Sequence, residues 1–167
     1  MAKKADNPDY DELPVDSPER KRLPLLLRRA WYNLNKTFRR RISHAGATPD
    51  QFTVLRTLHE GDAAGLTQSE LTRAMSSDPN TVASLLERME NSDWIERKPH
   101  ETDRRANRIL LKPAGKRKFT QLRDIAAGLQ LEILDVLPEK DRDKFLEQLA
   151  DIAEAGHATA KEAARTK

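Results

Sequence analysis

Residues 100–110 read HETDRRANRIL: two acids and three arginines, two of them adjacent, between short apolar runs. Across residues 97–118, Arg97, Lys98, Arg104, Arg105, Arg108, Lys112, Lys116, Arg117 and Lys118 face only Glu101 and Asp103 in sequence. Guanidinium groups at the tip of a turn suit one chemistry above others. They stay charged, present a flat fork of donors, and meet phosphate oxygens or an electronegative groove. A second block, residues 20–41, holds Arg20, Lys21, Arg22, Arg28, Arg29, Lys36, Arg39, Arg40 and Arg41 with no acid at all, although the whole chain carries a formal net charge of only +3. Positive charge segregated in this way points to a polyanionic partner; solvated helix faces are the plainer reading of both blocks.

Other chemistries find little support. With no Cys among 167 residues, disulfides, thiolate zinc sites and cysteine redox sensing are excluded. His44, His59, His100 and His157 are scattered, and only His100 and Asp103 share a ligand-like spacing, so neither a metal site nor a cofactor is expected. There is no Gly-rich phosphate loop, no nucleophile elbow and no carboxylate pair in an apolar setting, which argues against an enzyme. No apolar run reaches the length of a membrane span and no signal peptide opens the chain, so a cytoplasmic location without a membrane partner is expected.

The elements that must carry the basic tip follow from periodicity and caps. Leu27, Trp31, Leu34, Phe38 and Ile42 recur at helical spacing within a long helix over 23–44 that Gly46 ends. Thr48-Pro49 caps a second helix lined by Phe52, Leu55 and Leu58. Thr67-Gln68-Ser69-Glu70 is a capping box for a short helix burying Leu71, Ala74 and Met75. After a turn at Ser76-Ser77, Asp78-Pro79 opens a further helix. Val82, Leu85, Leu86 and Met89 point inward from it, while Asn80, Thr81, Ser84 and Arg88 lie on its other face. Small polar side chains let that face approach another surface closely and can pair with base edges and phosphates; a helix start rich in caps gives the same residues a purely local role. WIERKP and NRILLK read as two short strands around the basic tip. A long helix entered through Pro113 and Gly115 repeats Phe119, Leu122, Ala126, Leu129 and Ile133. Pro138 then breaks the chain before a last helix with Phe145, Leu149 and Ile152 that ends near Gly156.

A short capped helix, a turn and a polar-faced helix make a helix-turn-helix, and the two strands make a wing. The predicted fold is thus mainly α with a small β-hairpin wing, a winged helix-turn-helix. The second helix would enter a major groove and the wing the neighbouring minor groove, where Arg at a hairpin tip is well placed. The segments LTQSELTRAM and DPNTVASLLERMENSDWIERKPHETDRRANRILL, with the following PAG, resemble the MarR family of winged helix-turn-helix regulators over residues 25–153. The resemblance implies that Arg105 enters the minor groove with Asp103 holding it, and that Arg104, Arg97, Lys98 and His100 contact phosphates. Thr67, Gln68, Asn80, Thr81, Ser84 and Arg88 complete the candidate DNA-binding set. The chain departs from the family pattern in three places. Asp93 stands where Gly is usual after the recognition helix, Lys112 where Thr precedes the fifth helix, and Trp94 where Leu is common. Asp tolerates the left-handed conformation that the turn requires, and Trp94 is expected in the core.

The resemblance also implies a homodimer joined by its first and last helices, in agreement with apolar seams at 23–42, 119–133 and 145–153 that exceed what a small monomer needs. Such a dimer would read a palindromic operator on double-stranded DNA, most often as a repressor. The resemblance further implies that a small aromatic carboxylate or phenol in a cleft releases DNA. Trp31, Tyr32, Asn35, Phe52 and Arg56 are the candidate ligand-binding residues; Arg56 would pair the carboxylate while the rings stack. By this reading, residues 1–19 are a disordered acidic tail, 20–47 the N-terminal dimerisation helix, 48–112 the DNA-binding lobe, 113–156 the C-terminal dimerisation helices and 157–167 a frayed tail. Two other readings use the same residues: a DNA-binding protein with no small-molecule effector, and a protein–protein module whose basic hairpin meets an acidic partner.

Overall fold

In a computed structural model, residues 14, 17, 20–103 and 106–165 are described. Among them six α-helices and a three-stranded sheet follow in the order α1 (Leu23–Arg41), α2 (Pro49–Glu60), β1 (Leu66–Thr67), α3 (Gln68–Ala74), α4 (Pro79–Asn91), β2 (Ile95–Pro99), β3 (Asn107–Leu111), α5 (Pro113–Leu134) and α6 (Glu139–Arg165). Most of the expected acidic tail, together with Arg104 and Arg105, lies outside the described residues.

Local chemistry sets most boundaries. Regular helix stops at Arg41, three residues before the expected end. A 3-10 turn over Ser43–Ala45 follows, and Gly46 leaves it at φ 63°, in the left-handed region. Thr48 caps α2 in a full capping box, its hydroxyl accepting from Gln51 N at 3.2 Å while Gln51 Oε1 accepts from Thr48 N at 2.9 Å. Thr67 and Asp78 cap α3 and α4 as their sequence context predicts. At its far end α4 closes with the N–H of Trp94 donating to Met89 O and that of Asp93 to Glu90 O, at 3.0 and 2.9 Å. Asp93 sits at φ 60°. This is the paired helix-end motif that normally takes Gly at the left-handed position, and Asp occupies it here.

The sheet has one strand more than expected. β1 pairs antiparallel with β3 (Leu66 opposite Ile109), and β3 pairs antiparallel with β2 (Arg97 opposite Ile109), in the order β1-β3-β2. At two residues, β1 is too short to show alternation in sequence.

One core joins α1 to α5 and the sheet, while α6 contributes no described residue to it. Phe38 from α1 and Ile42 just beyond its end, Phe52, Val54 and Leu55 from α2, Leu71 from α3, and Val82, Leu85, Leu86 and Met89 from α4 meet Ile95, Ile109, Phe119, Leu122 and Leu129. Each fully buried Leu or Ile contributes roughly 1.5–3 kcal/mol relative to exposure. Trp94 packs against this core with its ring below Lys118 Nζ. Ala74 does not join it: the third inward position expected on α3 is exposed, and Met75 is only partly buried. The α1 seam splits in two. Its C-terminal half is core, whereas Leu27, Trp31 and Leu34 are exposed alongside Ile133 of α5 and Phe145 and Ile152 of α6. The last helix passes through Gly156 as far as Arg165, beyond the end expected near Gly156.

Candidate nucleic-acid interface and adjoining cleft

The two helices of the helix-turn-helix are locked at their starts. Glu70 Oε2 accepts from both the amide and the hydroxyl of Thr67, at 2.7 and 2.8 Å, and Thr67 Oγ1 accepts from Glu70 N at 3.2 Å. These bonds, the backbone one foremost, hold the Glu70 carboxyl below its ordinary value. Gln68 Nε2 donates across the turn to Pro79 O at 3.2 Å, so this expected DNA contact also ties α3 to α4. The turn passes through Ser76 at φ 48°. Asp78 caps α4 by accepting from Thr81 N at 2.9 Å, and bonds from the Thr81 side chain and amide lower its pKa.

On α4 the polar face is open: Asn80, Thr81, Ser84 and Arg88 are all exposed. Arg88 lies back along its own helix, Nε donating to Ser84 O at 3.2 Å. Arg97 meets Glu90 at 3.2 Å and Lys98 meets Glu96 at 2.9 Å. Both pairs are solvent-accessible, and ion pairs of that kind hold their cations only weakly.

The wing is more organised than a merely polar turn. His100 N donates to Ala106 O at 3.1 Å and Ala106 N to Asp103 O at 3.0 Å, which closes the hairpin. His100 Nδ1 accepts from the backbone N–H of Thr102 and Asp103, at 3.3 and 3.2 Å. The imidazole thus does for this loop what Asn or Asp does in a side-chain-closed turn. Sequence reasoning missed Glu101 and Arg108 here. Arg108 Nε donates to Glu101 Oε2 and its Nη1 to Gly65 O, both at 2.9 Å. The bond to Arg108 holds the Glu101 carboxyl low, and the guanidinium is raised in return. The only sequence signal was the alternation of Arg108 with Ile109, which puts an Arg on the face opposite the core. Among the described residues no group of His, Asp and Glu could hold a metal ion, and no helix is long and apolar enough to cross a membrane.

A second site lies between α1, α2 and α5. A cleft of about 250 Å³ is lined by Trp31, Asn35, Phe52 and Arg56, together with Asp50 and Gln130. Four of the five expected ligand residues are therefore brought together; Tyr32 is not, being exposed with Lys36 Nζ 5.7 Å from its ring centre. The Arg56 guanidinium lies over the Phe52 ring at 4.8 Å. Two polar atoms of the cleft are buried without a hydrogen bond: the acceptor Asn35 Oδ1 and the donor Arg56 Nε, the latter only loosely paired with Glu60 at 3.9 Å.

A capped helix-turn-helix followed by a hairpin on a shared sheet defines a winged helix-turn-helix domain. Residues 47–106 match the model of the MarR family, and the chain has the fold of solved MarR-family transcriptional regulators. Similar solved structures include MepR from S. aureus in complex with DNA (TM-score 0.73, 20% identity, covering 81% of this chain and 99% of that one). The transcriptional repressor CouR bound to a 23-mer DNA duplex superposes with TM-score 0.71 at 24% identity, covering 79% and 92%. CouR from Rhodococcus jostii bound to p-coumaroyl-CoA gives 0.70 at 20% identity, covering 78% and 91%. No curated protein matches the sequence.

Proposed function

We propose that the chain is a sequence-specific DNA-binding transcriptional regulator, acting as a repressor. It binds a palindromic operator as a homodimer and is released by a small aromatic acid or phenol. One observation carries this reading: the exposed, small-residue face of α4 (Asn80, Thr81, Ser84) stands directly before a basic hairpin. A helix start without bulky side chains fits a major groove, and a cationic hairpin beside it fits the adjacent minor groove. Arg97, Lys98, His100 and Arg104 serve as phosphate contacts, with Thr67, Gln68 and Arg88 completing the interface. Arg105 inserts and Asp103 orients it.

Dimerisation is supported by the apolar surface left on α1, α5 and α6. Leu27, Trp31, Leu34, Ile133, Phe145 and Leu149 line a groove of about 760 Å³. Large contiguous apolar surface of this kind marks an association site. A two-fold dimer spaces its recognition helices by one DNA turn, roughly 34 Å. Release by ligand is supported by the two unsatisfied atoms of the cleft. A phenolic O–H suits the Asn35 acceptor and a carboxylate suits Arg56, with the ring between Trp31 and Phe52.

The test is selection from a randomised duplex pool, followed by anisotropy titration at several salt concentrations. The expected result is an inverted-repeat site and a log–log salt slope near −0.9 per neutralised phosphate. Arg105→Ala should weaken binding while the dimer persists. Retention of no duplex at low salt, or a strictly monomeric protein, would overturn the reading.

A further inference from the structure

Glu101 poses a problem for any basic hairpin that meets DNA. It is an exposed carboxylate on the wing, and like charge so near a phosphate backbone opposes binding. Its geometry gives it a different task. Glu101 Oε2 accepts from Arg108 Nε, and the same guanidinium donates Nη1 to Gly65 O. One planar fork therefore joins the wing tip, strand β3 and the loop ahead of β1. Gly65 is shaped for the purpose. It sits at φ 92°, and a Cβ there would stand 2.7 Å from Ile109 O, so only glycine brings its carbonyl this close to β3. The Arg108 side chain is 19% exposed, enclosed by its partners rather than extended toward solvent. On the other side of the tip, His100 Nδ1 fixes residues 100–103.

We propose that Arg108 and Glu101 are positioning residues for the wing. They clamp the hairpin to the Gly65 loop, and that clamp sets the angle at which the tip reaches the minor groove. The inference rests on the DNA-binding reading above and extends it. Neither residue acts by touching DNA. A hairpin fixed before binding loses less conformational freedom on binding than a loose one, and a lysine at position 108 could not make both bonds from one rigid fork.

The experiment is anisotropy at fixed salt on the selected duplex, in versions with A·T-rich and G·C-rich flanks. The variants are Glu101→Ala, Arg108→Lys, Arg108→Met and the double variant Glu101→Ala/Arg108→Met. Circular dichroism melts confirm that each is folded. Charge alone predicts that Glu101→Ala binds more tightly, because an acid leaves the DNA face. The clamp predicts the opposite: weakening of roughly three- to tenfold and loss of the flank preference, with the double variant no worse than Arg108→Met alone. Arg108→Lys keeps the charge and should still lose the flank preference. Tighter or unchanged binding by Glu101→Ala, or strictly additive losses, would overturn the proposal. Arg105→Ala, measured in parallel, separates the two ideas. If it weakens binding and Glu101→Ala does not, the clamp alone fails. If Arg105→Ala has no effect, the wing reading fails and the clamp falls with it.

Discussion

Lys112 Nζ and the Asp93 carboxylate pair across the joint between α4 and α5, and these are two of the three positions where the chain departs from the MarR pattern it resembles. The backbone joins the same place, Lys112 N donating to Trp94 O at 3.0 Å. A left-handed Asp where Gly is usual and a Lys where a capping Thr is usual thus form one contact, and Asp93 raises the Lys112 pKa through their hydrogen bond. The first prediction separates backbone from charge. Asp93→Ala keeps a Cβ at φ 60° without a side chain that tolerates it, and should lower stability by about 1–2 kcal/mol. Asp93→Gly removes the steric cost and loses only an exposed ion pair, so its urea midpoint should equal or exceed the wild-type value. The idea is wrong if Ala and Gly destabilise equally.

The same joint contains the tightest glycine of the chain. A Cβ at Gly115 would stand 2.1 Å from Trp94 O, a backbone atom that cannot move without opening the α4–β2 connection. Gly115→Ala should therefore cost about 3 kcal/mol or more, with the near-ultraviolet signal of Trp94 lost together with the fold. A fully folded, unshifted melt would show that α5 is free to slide.

These joints explain what could be read from sequence and what could not. The caps at Thr48, Thr67 and Asp78 were legible because each is settled within four residues. The turn at Asp93 was legible only through the resemblance, which places a Gly there; Asp is one of the few other types that tolerate a positive φ. The clamp was not: Arg108 and Gly65 are 43 residues apart, and no periodicity encodes which carbonyl a guanidinium will find. Tyr32 illustrates a finer limit. Successive helical residues differ by roughly 100° in direction, so Trp31, Asn35 and Phe38 share the cleft face and Tyr32 turns away from it. The exposed half of the α1 seam was legible as apolar surface, but periodicity cannot distinguish a core from an interface.

Acid sensitivity follows from three lowered carboxyls. Glu70 is held down first by the Thr67 backbone, Asp78 by the Thr81 side chain and Glu101 by Arg108. A carboxyl with a folded pKa below its unfolded value contributes stability that is fully present above the unfolded value. That contribution is lost as pH falls through the folded one. Stability should therefore decline as pH drops below about 4.5, the ordinary Glu value. The variant Glu70→Gln/Asp78→Asn keeps capping geometry but not the titrating charge, so its stability should fall less steeply from pH 5 to 3. Identical acid limbs in urea titrations would remove these caps from the explanation.

The groove on α1, α5 and α6 predicts an oligomeric phenotype distinct from a folding one. Ile133 and Phe145 are each more than two-fifths exposed in the single chain, so Lys at either position is tolerated by an isolated protomer and expelled from an apolar interface. Ile133→Lys and Phe145→Lys should sediment as folded monomers and lose most operator affinity, because two half-sites are no longer held together. A dimer that survives both substitutions would place the interface elsewhere.

Asn35 gives the sharpest test of the cleft, because function and stability should move in opposite directions. Its Oδ1 is buried with no hydrogen bond, and an unsatisfied buried acceptor costs roughly 1–3 kcal/mol. Asn35→Leu is close in size and removes that cost, so the ligand-free protein should become more stable by about 1 kcal/mol. The same change removes the acceptor for a phenolic hydroxyl. A hydroxybenzoate probe that raises the wild-type melting midpoint should then raise that of Asn35→Leu much less. Arg56→Met should abolish the shift for carboxylate probes while leaving any shift from the matching phenol, since only the carboxylate needs the guanidinium. If Asn35→Leu is destabilised, or if both variants respond to every probe like the wild type, the orphaned atoms are not a ligand site and the effector-free reading takes precedence.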